Sequence, residues 1–174
     1  MSRVDRFTTV YDAREDRIRL LIKLTSGDVQ ELLLTRRLMG KLVQALLKRL
    51  ETAVSVNHGS VSASSKGAFQ RFNQAAAVDR LRKQKSGSTS LRKEKKKDAA
   101  VLVTKVGLRW SRRLIALDLK DDEEVRQTLS FNEETLRQWM AVVHSQYKIA
   151  KWSDELWPSW VQSRTDRASI ARPN

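Results

Sequence analysis

The chain has 174 residues, 34 Lys and Arg against 20 Asp and Glu, a formal net charge of +14, and no cysteine. That charge favours polyanionic partners such as nucleic acid or anionic lipid, and the missing cysteine excludes disulfides, thiolate catalysis and cysteine-ligated zinc or iron–sulfur centres. No apolar run reaches the roughly 20 residues of a membrane span, and the opening MSRVDRFTTVYDARED has no apolar h-region, so we expect a cytoplasmic protein without a secretory signal.

Residues 4–11 have β-rich composition and predict a first strand. From Arg17 to Leu24 the chain alternates: Ile18, Leu20, Ile22 and Leu24 fall on one face, and Arg17, Arg19, Leu21 and Lys23 on the other. Period-two alternation marks a half-buried strand. Thr25-Ser26-Gly27-Asp28 supplies turn chemistry, and residues 29–34 predict the next strand. Thr35 is an N-cap, because its hydroxyl can accept a bond from a free amide of the first helical turn. Leu34 and Met39 occupy the staple positions around it. Leu38, Met39, Leu42, Val43, Leu46 and Leu50 then recur at helical spacing, predicting a helix to about Thr52.

Residues 53–66 are small and polar and read as a linker or a weak strand. Residues 68–85 predict a weaker helix with a ragged apolar stripe of Phe69, Phe72, Ala75, Ala76 and Leu81. Residues 86–90, SGSTS, break it, and residues 91–98, LRKEKKKD, read as a solvated, mobile charge block.

Regular pattern returns at residue 99. Residues 101–110 predict one long strand, with Leu102, Thr104, Val106, Leu108 and Trp110 on one face and Lys105 and Arg109 on the other. Strands at 114–119 and 125–131 follow. Asn132 caps a helix whose staple is Phe131 with Leu136. Glu133 and Glu134 sit in its first turn, where the helix dipole favours negative charge. Leu136, Trp139, Met140, Val143 and Tyr147 form its stripe, and it should end near Lys151. Residues 152–160 make a Trp-rich turn broken by Pro158, and 161–174 are expected to fray.

Setting Thr35 on Asn132 brings Leu42 onto Trp139, Val43 onto Met140, Leu46 onto Val143 and Leu50 onto Tyr147. Each half reads β-β-β-α. The expected fold class is therefore α+β, with two similar β-β-β-α units related by a pseudo-twofold axis and sharing a core. A long, basic, partly disordered linker joins them. The expected division is 1–52 for the first unit, 53–98 for the linker, 99–160 for the second unit with its Trp-rich turn, and 161–174 for a flexible tail. The order resembles the paired strand–strand–strand–helix repeats of Whirly-type and PUR-type nucleic-acid binders, which carry four strands per repeat where this chain has three. The resemblance covers element order alone and implies nucleic-acid binding.

No catalytic or metal constellation emerges. His58 lies in a polar linker and His144 at the edge of a helix stripe, neither with a partner that would orient it for catalysis. Asp118, Asp121, Asp122, Glu123 and Glu124 lack the ligand spacing and the glycine of a calcium loop. There is no nucleophile elbow among Ser60–Ser65 and no phosphate-binding glycine loop. We expect no enzyme, no cofactor and no metal.

The candidate nucleic-acid contacts are of two kinds. Arg80, Arg82, Lys83, Lys85, Arg92, Lys93, Lys95, Lys96 and Lys97 form a basic block with one acid, Glu94, so that residues 80–97 hold +8 of the +14. As a mobile polycation this block would neutralise phosphates without sequence preference; otherwise it only solubilises. Arg17, Arg19 and Lys23, with Lys105 and Arg109, would line a basic sheet face, on which Phe7 and Trp110 could stack bases, although Trp110 alternates with the buried set and reads better as core. Trp152, Trp157 and Trp160 either close the core or form a docking patch for a protein partner. The first functional expectation is non-enzymatic binding of DNA or RNA. The alternative is a protein-interaction or assembly module, including a homodimer.

Overall fold

A computed structural model describes residues 3–58, 62–84, 99–111, 113–122 and 124–162. The architecture is mixed α+β, with two sheets and helices. In chain order the elements are β1 (Val4–Asp12), β2 (Arg17–Leu24), β3 (Val29–Thr35), α1 (Arg36–His58), α2 (Ala63–Gln84), β4 (Val101–Val103), β5 (Lys105–Trp110), β6 (Ile115–Asp121), β7 (Glu124–Phe131) and α3 (Glu133–Ala150). The chain divides into two compact units, Met1–Leu42 with Gly87–Asn132, and Val43–Ser86 with Glu133–Asn174. All the strands named above fall in the first unit together with the start of α1, and the rest of α1, α2 and α3 fall in the second.

In the strand unit, β1-β2-β3-β4 form one sheet and β5-β6-β7 the other. β1, β2 and β3 are an antiparallel meander, and β4 adds parallel to β3 through Leu32–Val101, Leu33–Leu102 and Leu34–Val103. A parallel addition needs a long crossover, here the whole stretch from α1 to residue 100. The single strand expected over 101–110 is split at Thr104. Its amide donates to the Lys120 carbonyl at 2.9 Å and its hydroxyl accepts from the Asp122 amide at 2.7 Å. The break follows from a change of partner, from β3 on one side of Thr104 to β6 on the other. Gly27, at φ 91°, turns β2 into β3, a conformation open to glycine without steric cost.

Ile18, Leu20, Ile22, Leu32 and Leu34 are fully buried on one face of the first sheet. Leu21, Glu31 and Leu33, which alternate with them, are buried too. The central strands are thus covered on both faces, and the open outer surface expected for β2 is restricted to its ends. Phe7 and Phe131 meet edge to face with centroids 5.8 Å apart.

In the helical unit, α1 runs past the expected Thr52 to His58. Its cap forms as read, with the Leu38 amide donating to Thr35 Oγ1 at 3.2 Å. α2 corrects the expected stripe. Phe69 and Phe72 are 38% and 70% exposed, while Gln70, Gln74 and Ala77 are buried. The buried glutamines are spaced at one helical turn and serve backbone groups: Gln70 Nε2 donates to the Leu50 carbonyl at 2.9 Å and Gln74 Nε2 to the Arg137 carbonyl at 3.0 Å. α3 ends at Ala150, next to the expected Lys151. Lys151 takes φ 55°, the Trp152 amide returns to the Tyr147 carbonyl at 3.0 Å, and the Lys151 amide to the Lys148 carbonyl at 3.1 Å. This is the Schellman closure, and its usual apolar contact is the edge-on pair of Tyr147 and Trp152 at 5.0 Å.

Candidate nucleic-acid interface

The expected basic sheet face is distributed over two sheets. Arg17, Arg19 and Lys23 lie on β2, and Lys105 and Arg109 on β5. Arg19 is committed inside the protein: it forms ion pairs with Asp12 of β1 and with Glu31 of β3, whose side chain is 2% exposed. One guanidinium between two carboxylates leaves this spot without surplus positive charge. Arg17 pairs with Glu15 at 3.2 Å, and Lys23 is half-buried.

On β5, Arg109 grips Asp118 in a two-point clamp, Nε to Oδ2 at 2.7 Å and Nη2 to Oδ1 at 2.8 Å. Gly107 sits opposite Asp118 in the β5–β6 register, so no side chain stands between the two partners. Thr128 Oγ1 adds a bond to Asp118 Oδ1 at 2.7 Å. The Arg109 bond and the Thr128 hydroxyl hold the Asp118 carboxyl below the ordinary aspartate range, against the opposing effect of burial. Lys105 is exposed and faces Lys120 in register. The face thus carries Lys105 opposite Lys120, while Arg19 and Arg109 are bound to local acids.

Of the basic block, Arg80, Arg82 and Lys83 close α2 and are exposed. Arg80 pairs with Glu134, and Arg82 lies 3.9 Å from Asp79. Lys85, Arg92, Lys93, Lys95, Lys96 and Lys97 lie outside the described residues. The described end of the block thus projects a cationic helix terminus toward them in sequence.

The Trp docking patch is corrected. Trp152, Trp157 and Trp160 are 5%, 3% and 7% exposed. They pack within the helical unit: Tyr147 lies 5.3 Å from Trp157, His144 lies 4.9 Å from Trp157, and the Arg137 guanidinium carbon sits 5.5 Å over Trp160. Three indoles bury more apolar surface folded back than a rim patch would.

Two features escape the sequence pattern. Arg137, on the helix α3, is 1% exposed. Its Nε and Nη2 donate to Glu133 Oε1 at 3.1 and 2.8 Å, and Nη2 also to Gln70 Oε1 at 2.7 Å. Burial lowers its pKa and Glu133 opposes that. The only trace in sequence is the Glu133/Arg137 spacing of one helical turn. The second is Trp110, which is 44% exposed despite alternating with the buried set.

Among the described residues, no group of three or more His, Asp or Glu is arranged to hold a metal ion. No helix among them is long and apolar enough to cross a membrane. No family model, curated protein or solved structure matches this chain, so the likeness in element order to Whirly-type and PUR-type binders is carried by no match.

Proposed function

We propose that the chain is a non-enzymatic nucleic-acid-binding protein that contacts phosphates through the Lys and Arg residues at the end of α2 and along the sequence that follows it. The observation that carries this reading is the exposure of Arg80, Arg82 and Lys83 at the head of a block holding +8 in residues 80–97. Cations concentrated in one stretch raise affinity for a polyanion by counterion release. Lys105 and Lys120 add a second, weaker cationic patch on the β5–β6 face. We further propose that β1-β2-β3-α1 and β5-β6-β7-α3 are equivalent units. Both are antiparallel meanders running directly into a long helix. A cytoplasmic setting fits a chain without cysteine.

The test is affinity for single- and double-stranded oligonucleotides across a salt series. The reading requires binding at low salt that weakens steeply as salt rises; no binding at low salt would sink it. Its rival, a protein-interaction module or homodimer, draws on Phe72, 70% exposed on α2. Mass in solution and its response to Phe72→Ser decide that rival.

A further inference from the structure

We propose that the tip of the β5–β6 hairpin is a contact for single-stranded nucleic acid, with Trp110 stacking on an unpaired base and Arg113 meeting the neighbouring phosphate. This rests on the nucleic-acid reading above and names the site and the substrate class.

Trp110 is 44% exposed, whereas Trp139, Trp152, Trp157 and Trp160 are 5%, 5%, 3% and 7% exposed. The chain buries four indoles and leaves one substantially exposed. That one is held at a defined place. Trp110 pairs with Ile115 at the last rung of the β5–β6 ladder. The turn beyond it is tied by the Ser111 amide donating to the Leu114 carbonyl at 2.8 Å and by the Leu114 amide donating to Ser111 Oγ at 3.0 Å. A side chain on a tied hairpin gives up little further backbone freedom when a ligand docks.

The charge at the tip fits an anion. Arg113 is exposed, and no acid occurs between Arg109 and Leu114 in the sequence. Asp118, the acid across the ladder, is already clamped by Arg109. Leu114, also at the turn, is 52% exposed. An exposed indole and an exposed guanidinium three residues apart suit a base and a nearby phosphate. The base must be unpaired, because a duplex hides its base faces in the stack. Prying a duplex open with an apolar wedge needs cations gripping the bent backbone around it, and Arg109 is held on Asp118.

The buried state of the other four indoles makes the experiment selective. In the full chain, titration with an oligo(dT) 20-mer at low salt should quench the acrylamide-accessible part of the tryptophan emission. Trp110→Phe should lose that quench. Trp110→Ala should weaken oligo(dT) binding, read by anisotropy of a labelled strand, by roughly five- to a hundredfold, the range for one base–aromatic stack. Arg113→Gln should weaken it and lower the salt slope by about 0.7. Far-UV circular dichroism should be unchanged in all three variants, since both side chains are exposed. Full affinity in Trp110→Ala would overturn the tip site while leaving nucleic-acid binding through the α2 end intact. Equal protection of Trp110 by a duplex would overturn the single-strand assignment. Self-association abolished by Trp110→Ala, with no quench by oligo(dT), would reassign the tip to a protein contact. Absence of all oligonucleotide binding would overturn both proposals together.

Discussion

Arg137 shows how one buried charge organises a helix pair. A guanidinium 1% exposed needs partners within the protein, and its Nε and Nη2 find them, because an unpaired buried charge costs several kcal/mol. Glu133 supplies the charge, Gln70 a neutral acceptor and Trp160 a π face. Arg137→Ala strips Gln70 of its partner and leaves a void under Trp160, so it should destabilise the protein by about 2–4 kcal/mol. Arg137→Met fills the void and should cost clearly less, since an apolar side chain of similar length avoids the desolvation of the ion. Denaturant midpoints of the two variants decide it; an Arg137→Met as costly as Arg137→Ala would mean the charge itself holds α2 to α3. None of this is visible in sequence, because a helical stripe argument assigns polar residues to solvent. Arg19 fails for the same reason. Its alternation puts it opposite Ile18 and Leu20 correctly, but Asp12 and Glu31 come from other strands, and only folding brings them within reach. Alternation places Trp110 in the core, yet it is 44% exposed, because alternation is blind to where a sheet ends.

At the scale of elements, the end of α3 is set by geometry and then locked by aromatics. Lys151 adopts φ 55° to let the Trp152 amide close on Tyr147. A side chain in that left-handed region costs roughly 1 kcal/mol that glycine avoids. Lys151→Gly should therefore stabilise the protein by about 0.5–1 kcal/mol, read as a rise in melting temperature, whereas a fall would show that the Lys151 side chain has a packing role. The segment beyond it lies against His144, which is fully buried with its ring 4.9 Å from Trp157. Burial lowers the His144 pKa below 6.5; Asp154, at 3.3 Å, pulls the other way, and Lys148 adds to the lowering. With the folded pKa depressed, the unfolded chain binds the proton first. The contribution to stability is therefore whole above about pH 6.5 and lost as pH falls through the folded value. Stability measured from pH 8 down to 5 should decline below about 6.5 more steeply than in His144→Gln, and parallel profiles would exclude His144 as the cause. The strands β2 and β3 and the start of α1 were legible because alternation, turn chemistry and a cap all agree there. The break at Thr104 was not, since apolar alternation runs through it and only the change of partner strand interrupts it. On α2 the stripe pointed to Phe69 and Phe72, but the buried face is chosen by the hydrogen-bonding needs of Leu50, Arg137 and their neighbours.

At the scale of the whole molecule, net charge was the most legible property and the least specific. A charge of +14 draws a polyanion from any direction, so what matters is which cations are free of local acids. The end of α2 separates these cases within four residues. Lys83 is exposed and pairs with no acid among the described residues, while Arg80 carries an ion pair with Glu134. A lysine that releases a counterion to a phosphate contributes about 0.7 to the salt slope on single strands, or about 0.9 on duplex. Lys83→Gln should thus flatten the slope by that amount. Arg80→Gln should flatten it less, because Glu134 already competes for the guanidinium. Removing the competitor reverses the sign. The pair is exposed, with side chains 62% and 38% accessible, so its loss should cost the fold no more than about 1 kcal/mol. The freed Arg80 then becomes available to phosphate. Glu134→Gln should therefore tighten oligonucleotide binding and steepen its salt dependence. A neutral substitution that tightens binding is hard to produce by damage to the fold. An unchanged affinity in Glu134→Gln, beside a weakened Lys83→Gln, would move the contact past Arg80 toward the residues that follow α2.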